Sequence, residues 1–141
     1  MRKILLVDDD MDDAALFREA LRLAADTVSL DYYYDGKAAL QRLAAASDLL
    51  PDLIFLDINM PVLNGWQFLE ALKKLSHLKD IPVVMYTTSS RTKEMETART
   101  MGASGFFTKP DDFDVLRKML GAIVDSDAAE LTHTLQSALQ K

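Results

Sequence analysis

Short apolar runs and helix-spaced apolar stripes take turns along most of this chain. Residues 2–7 form a run that stops at Asp8; behind a group of acids, Phe17, Ala20, Leu21 and Ala24 then recur every three or four positions. A brief apolar run bounded by polar residues suits a buried strand, and a stripe of period near 3.6 lines one face of a helix. The same pair recurs: residues 28–34 are β-rich and end at Asp35-Gly36, and Ala39, Leu40, Leu43 and Ala44 follow at helical spacing. Residues 53–56 predict a third strand, and Phe68, Leu69, Leu72 and Leu75 line a third helix behind the Asn64-Gly65 break. Residues 82–86 predict a fourth strand, and the helix over about 91–101 has only Met95, Ala98 and Met101 as its stripe, so weak docking is expected. Residues 105–108 and the stripe Leu116, Met119, Leu120 and Ile123 complete five strand-helix units.

Strands alternating with helices imply right-handed crossovers and a parallel sheet covered on both faces. Closing a barrel normally takes about eight such units, so five predict an open, doubly wound α/β sheet. Beyond it, Asp127 and Glu130 make a capping-box-like start, with Ala128, Leu131, Leu135, Ala138 and Leu139 on one face. The expected organisation is one domain over residues 1–125 and an amphipathic helical extension over 126–141, which either docks on its own domain or pairs with another protomer.

Composition narrows the function classes. The 141 residues, 49% hydrophobic, suffice for one core held by packing alone, since there is no cysteine for disulfides, thiolate metal sites or thiol nucleophiles. No run approaches a membrane span or a signal-peptide core, so the expectation is a cytoplasmic chain without membrane insertion. With 16 basic against 22 acidic side chains, the net charge of −6 opposes nucleic-acid binding.

The chemistry gathers just past the strands. Asp8, Asp9 and Asp10 follow the first, Asp57 the third, Thr87 and Thr88 the fourth, and Lys109-Pro110 the fifth. In an open parallel sheet these ends share one edge, where ligands bind. Carboxylates within about 4 Å repel by roughly 4 kcal/mol per pair at an effective dielectric near 20, so the group must protonate, bind a cation or recruit a lysine. Oxygen-only donors favour Mg²⁺, which readily shares a carboxylate site with a phosphoryl group. Asp57 could then act as a nucleophile on phosphorus, with Lys109 as a second cation and the Thr87 hydroxyl bonding a phosphoryl oxygen.

At these residues the chain resembles the response regulator receiver domains of two-component signalling, especially single-domain, chemotaxis-regulator-like members. The likeness covers about residues 2–124. It rests on Val7-Asp8-Asp9, Leu56-Asp57-Ile58-Asn59-Met60-Pro61 with Asn64-Gly65, Thr87, and residues 102–110 ending in Thr108-Lys109-Pro110. The resemblance implies a flavodoxin-like (βα)5 fold with strand order 2-1-3-4-5 and Asp57 as phosphoacceptor. It implies Asp9 and Asp57 as direct Mg²⁺ ligands, Asp8 as a ligand through water, and Asn59 as a ligand through its backbone carbonyl. Thr87 and Lys109 match the phosphoryl-sensing hydroxyl and lysine, Lys109-Pro110 a peptide held cis, and Phe106 the switch aromatic that changes rotamer. Phe106 stands where tyrosine is frequent, Thr88 where alanine is common, and Asn59 and Ser89 at positions that tune attack of water on the acyl phosphate.

The expected function is therefore that of a stand-alone response regulator rather than a turnover enzyme. It would take a phosphoryl group from a histidine kinase or phosphotransfer protein and signal through the fourth helix, fifth strand and fifth helix to a downstream protein or by self-association. One rival is a receiver-like module that is never phosphorylated. Another is an aspartate-dependent phosphohydrolase, although Asn59 stands where such enzymes carry a second acid. Asp10, Asp12 and Asp13 read as helix-start charges, Trp66 as packing, and His77 and His133 as surface residues; the tyrosines at 32–34 receive no role. Met95, Met101 and Phe106 could form an exposed partner face.

Overall fold

The computed structural model describes residues 1–45, 50–88 and 92–125. The helix expected over 126–141, with His133, and Ser89 lie outside the described residues. Ten elements alternate: β1 Lys3–Val7, α1 Met11–Ala24, β2 Ser29–Tyr33, α2 Gly36–Ala45, β3 Leu53–Leu56, α3 Gly65–Lys73, β4 Val83–Thr87, α4 Thr92–Thr100, β5 Gly105–Thr108 and α5 Phe113–Asp125. All strand pairings are parallel and the sheet order is β2-β1-β3-β4-β5, the flavodoxin-like arrangement.

Alternation along the strands divides the core into two layers, because successive side chains leave a strand on opposite faces. Leu5, Val7, Ile54, Leu56, Val83, Met85 and Phe106 point to one side, where Ala39 and Leu43 of α2, Phe68, Leu69 and Leu72 of α3, and Ala98 of α4 cover them. Ile4, Leu6, Leu53, Phe55, Val84 and Tyr86 point to the other, under Phe17, Ala20 and Leu21 of α1 and Leu116, Leu120 and Ile123 of α5. Strands covered on both faces read as continuous apolar runs, and β3 and β4 are buried at every position. Phe17, Phe55 and Tyr86 pack edge to face with centroids 5.0 to 5.7 Å apart. Truncating a fully buried ring such as Phe17 to alanine would cost about 3 to 5 kcal/mol.

Three local devices set the polar edge. Asp10 caps α1, its carboxylate accepting from the backbone N–H groups of Asp12 and Asp13 at 3.0 Å each. Asn64 and Gln67 form a reciprocal capping box at the start of α3, with both bonds at 2.9 Å. Gly65 follows immediately, where a Cβ would press on the carbonyl oxygen of Asp57 and lie 2.8 Å from Ile58 Cα, so the close approach of α3 to the Asp57 backbone requires glycine. In the same loop the exposed Val62 has φ 69°, a left-handed conformation that β-branched residues rarely adopt.

Two expectations change here. The described peptides are all trans, Lys109–Pro110 included, and Lys109 Nζ stands beside the acids in that form. Phe106 is not part of an exposed face: it is 3% exposed inside the first layer, and Met95 and Met101 are partly buried against the same layer. Weak docking of α4 follows its sequence, since Ala98 is its one buried residue.

Candidate functional site

Chain order places β1 between β2 and β3, so successive connections run to opposite sides of β1 and leave a crevice at the carboxyl ends of β1 and β3. Asp8 leaves β1 there and Asp57 leaves β3, with Asp57 N–H donating to the Val7 carbonyl at 2.9 Å. Thr87 ends β4, fully buried, and its carbonyl accepts from Lys109 N–H at 2.7 Å, which sets the start of the lysine beside it. Oxygens of Asp8, Asp9 and Asp57 come within 4.8 Å of one another. Asp8 is 0% and Asp57 6% exposed, whereas Asp9 is open to solvent.

Lys109 closes the crevice from the β5 side. Its Nζ lies 2.8 Å from Asp8 Oδ2, 2.9 Å from Asp13 Oδ2 and 3.8 Å from Asp57 Oδ2, and 5.7 Å from the centre of the Tyr86 ring. Burial works against the ammonium, but the carboxylate of Asp8 beside it, the hydrogen bond to Asp13 and the charge of Asp57 outweigh it, so its proton is held more tightly than usual. Asp57 is pushed up to about 7: burial is the main cause, Lys109 opposes it, and the charges of Asp8 and Asp9 add to it. Asp8 is raised by burial as well, against the pull of Lys109 and of Asp10 N–H, which donates to its Oδ1 at 2.9 Å.

Such a group suits a hard divalent cation. The donors are all oxygens, Asp57 is raised first by burial and then by the charges of Asp8 and Asp9, and the buried Asp8 Oδ2 meets the ammonium by charge rather than through an aligned hydrogen bond. Asn59 lies two residues past Asp57 on the exposed loop, and Phe106 sits in the core beside Met85 of β4. The expected acids and lysine are thus assembled in one place, Thr87 adjoins them through the backbone, and Phe106 is set apart.

Two residues at the crevice were given no part in the site by the sequence reading. Asp13, read as a helix-start charge, pairs with Lys109; it stands one turn before the inward-facing Phe17, so extending the apolar stripe of α1 backwards leads to an acid on the buried side. Tyr32 donates its hydroxyl to the Asp8 carbonyl at 2.8 Å, tying β2 to the acidic loop. Its signal was alternation with Leu30, which faces the same layer.

Comparisons with known proteins agree with this fold. The family model described as response regulator receiver domain matches residues 4–121. The chain is 31% identical to the probable methanogenesis regulatory protein FilR2 of Methanothrix harundinacea, over 85% of this chain and 79% of that protein. It spans only about half the length of several curated transcriptional regulators that it matches, 43% in one case. Among solved structures, the phosphorylated cyanobacterial phytochrome response regulator RcpA aligns with TM-score 0.78 and 30% identity over 86% of this chain and 90% of that one. The Mn²⁺-bound form of response regulator Rcp1, a Synechocystis protein, aligns with TM-score 0.76 and 31% identity over 87% and 91%.

Proposed function

The chain belongs to the response regulator receiver domain family, and on that premise we propose that it accepts a phosphoryl group on Asp57 from a histidine kinase or phosphotransfer protein, with Mg²⁺ bound beside it. The observation that carries this reading is a carboxylate at the mouth of the crevice with two further acids within 4.8 Å and an ammonium at 3.8 Å. In the transfer, an Asp57 oxygen forms a bond to phosphorus while the bond from phosphorus to the donor imidazole nitrogen breaks. The imidazole leaves with the electron pair, and no oxidant or reductant is involved.

Asp8, Asp9 and Asp57, with the Asn59 backbone carbonyl, would hold the cation. Bound there, it would supply the positive charge that the acids and the transferring oxygens lack. Lys109 adds a second cation facing Asp57, and the buried Thr87 would donate its hydroxyl to a phosphoryl oxygen once that group, with about −1.5 to −2 charges, is in place. Thr87 lies at the end of β4 and Phe106 on neighbouring β5, beneath the thinly docked α4. A shift of Thr87 would thereby reach the buried Phe106 and, through it, α4, biasing a two-state surface at α4, β5 and α5 that a downstream protein or a second copy reads. The reading places the chain in the cytoplasm, with its kinase, and assigns it no nucleic-acid contact and no turnover chemistry.

Incubation with acetyl phosphate and Mg²⁺, followed by intact mass, tests the proposal. One phosphoryl adduct on the parent and none on Asp57→Asn is expected. No adduct on either would favour a constitutive binding module, and sustained hydrolysis of phosphomonoesters would favour a phosphohydrolase.

A further inference from the structure

Lys109 is gripped by an acid outside the group that could share a metal ion. Asp13 accepts a hydrogen bond from Lys109 Nζ at 2.9 Å, while that group consists of Asp8, Asp9 and Asp57. Its position is built in: the Asp10 cap holds the N–H groups of Asp12 and Asp13, which fixes the first turn of α1, and burial of Phe17 one turn on sets which side of that turn meets the sheet.

The Lys109 side chain is 8% exposed, and a charge that deep must stay paired. Asp8 and Asp13 hold it now, with Asp57 further off at 3.8 Å. Once the oxygens of Asp8 and Asp57 are committed to a divalent cation, their pull on the ammonium falls. Asp13 is then the remaining acid at hydrogen-bond distance among the described residues. An ammonium carries three N–H donors, so it can keep one on Asp13 and present another to an incoming phosphoryl oxygen. We propose that Asp13 is a positioning residue, which keeps the Lys109 ammonium aimed at Asp57 while Asp8 and Asp57 hold the cation. The inference rests on Asp57 being the phosphoacceptor. Were Asp13 instead a competitor for the lysine, removing its charge would speed the reaction.

With acetyl phosphate as donor, an Asp57 oxygen bonds to phosphorus and the phosphorus–oxygen bond to acetate breaks, acetate leaving with the electron pair. Rates of adduct formation at saturating Mg²⁺ are compared for the parent and Asp13→Asn, alongside the ζ-¹⁵N ammonium resonance of Lys109 in both proteins with Mg²⁺ and no donor. The expected loss in Asp13→Asn is about tenfold in rate, less than the roughly hundredfold or more of deleting a direct oxyanion donor. The ammonium resonance should stay slow to exchange in the Mg²⁺-loaded parent and be lost in the variant, a change that a merely structural role for Asp13 in α1 would not produce. An unchanged or faster rate overturns the proposal, and so does release of the ammonium when Mg²⁺ is added to the parent, a result independent of how the variant folds. Failure of the parent to form any adduct would count against the phosphoacceptor reading instead, with the resonance still reporting on Asp13.

Discussion

Asp57 is costly to hold ionised in the metal-free chain, because its charge is buried beside two other acids and only partly answered by a lysine at 3.8 Å. In the unfolded chain its pKa would return to the ordinary carboxylate value near 4. Between about pH 4 and pH 7 the folded protein therefore binds more protons than the unfolded one, and stability falls as pH rises through that window. Asp8, also raised by burial, acts with the same sign. Thermal midpoints of metal-free protein should accordingly drop from pH 5.5 to pH 8, with Asp57→Asn flattening much of the slope. At pH 8 that variant should be the more stable protein by about 2 kcal/mol, a few degrees in midpoint; a less stable variant would mean that the charge is better answered than the geometry indicates. Asp57, Asp8, Asp9 and Lys109 were legible as a group because each comes just past an apolar strand, and Thr87 because it breaks the apolar run at the end of β4. Asp13 and Tyr32 were not, because their signals lie in helical phase and strand alternation within elements whose other residues explain themselves by packing.

Elements were legible wherever periodicity was strong. β3 and β4, apolar at nearly every position, and α1 and α5, with clear stripes, stand close to where the pattern put them, whereas α3 ends at Lys73 and Leu75, expected on its stripe, packs against the first layer from beyond the helix. Ends shifted where no residue marks them: Thr87 extends β4 as its last paired residue, opposite Thr108. The junction of β3 and α3 shows how an element can serve the site from outside it. Gly65 lets α3 start against the Asp57 backbone, and its N–H donates to the Ile58 carbonyl at 2.9 Å. Because a Cβ would meet backbone rather than a flexible side-chain tip, Gly65→Ala should destabilise the protein by about 2 kcal/mol or more. It should also displace Asp57 enough to slow adduct formation. Denaturant unfolding beside the phosphorylation assay checks both; a variant equal to the parent in each would mean that α3 and the loop are free to separate.

At the scale of the whole molecule, strand order is what brings the chemistry together. Periodicity predicted an open parallel sheet but left its order undetermined, since local patterns say which face a residue takes and not which strand lies beside it. The order β2-β1-β3-β4-β5 followed from resemblance, and it sets Asp8 and Asp57 after adjacent strands with Lys109 two strands from Asp57 and three from Asp8, reaching back across the crevice. The thin docking of α4 beside β5 leaves the strand that leads into Lys109 covered by an element that can shift at small cost. The claim on which the rest stands is that the phosphoryl group lands on one carboxylate. Borohydride reduces an aspartyl phosphate to homoserine, so protein treated with acetyl phosphate and Mg²⁺, reduced and sequenced by tandem mass spectrometry, should carry homoserine at position 57 alone; homoserine at Asp8 or Asp9, or at no position, would contradict the account.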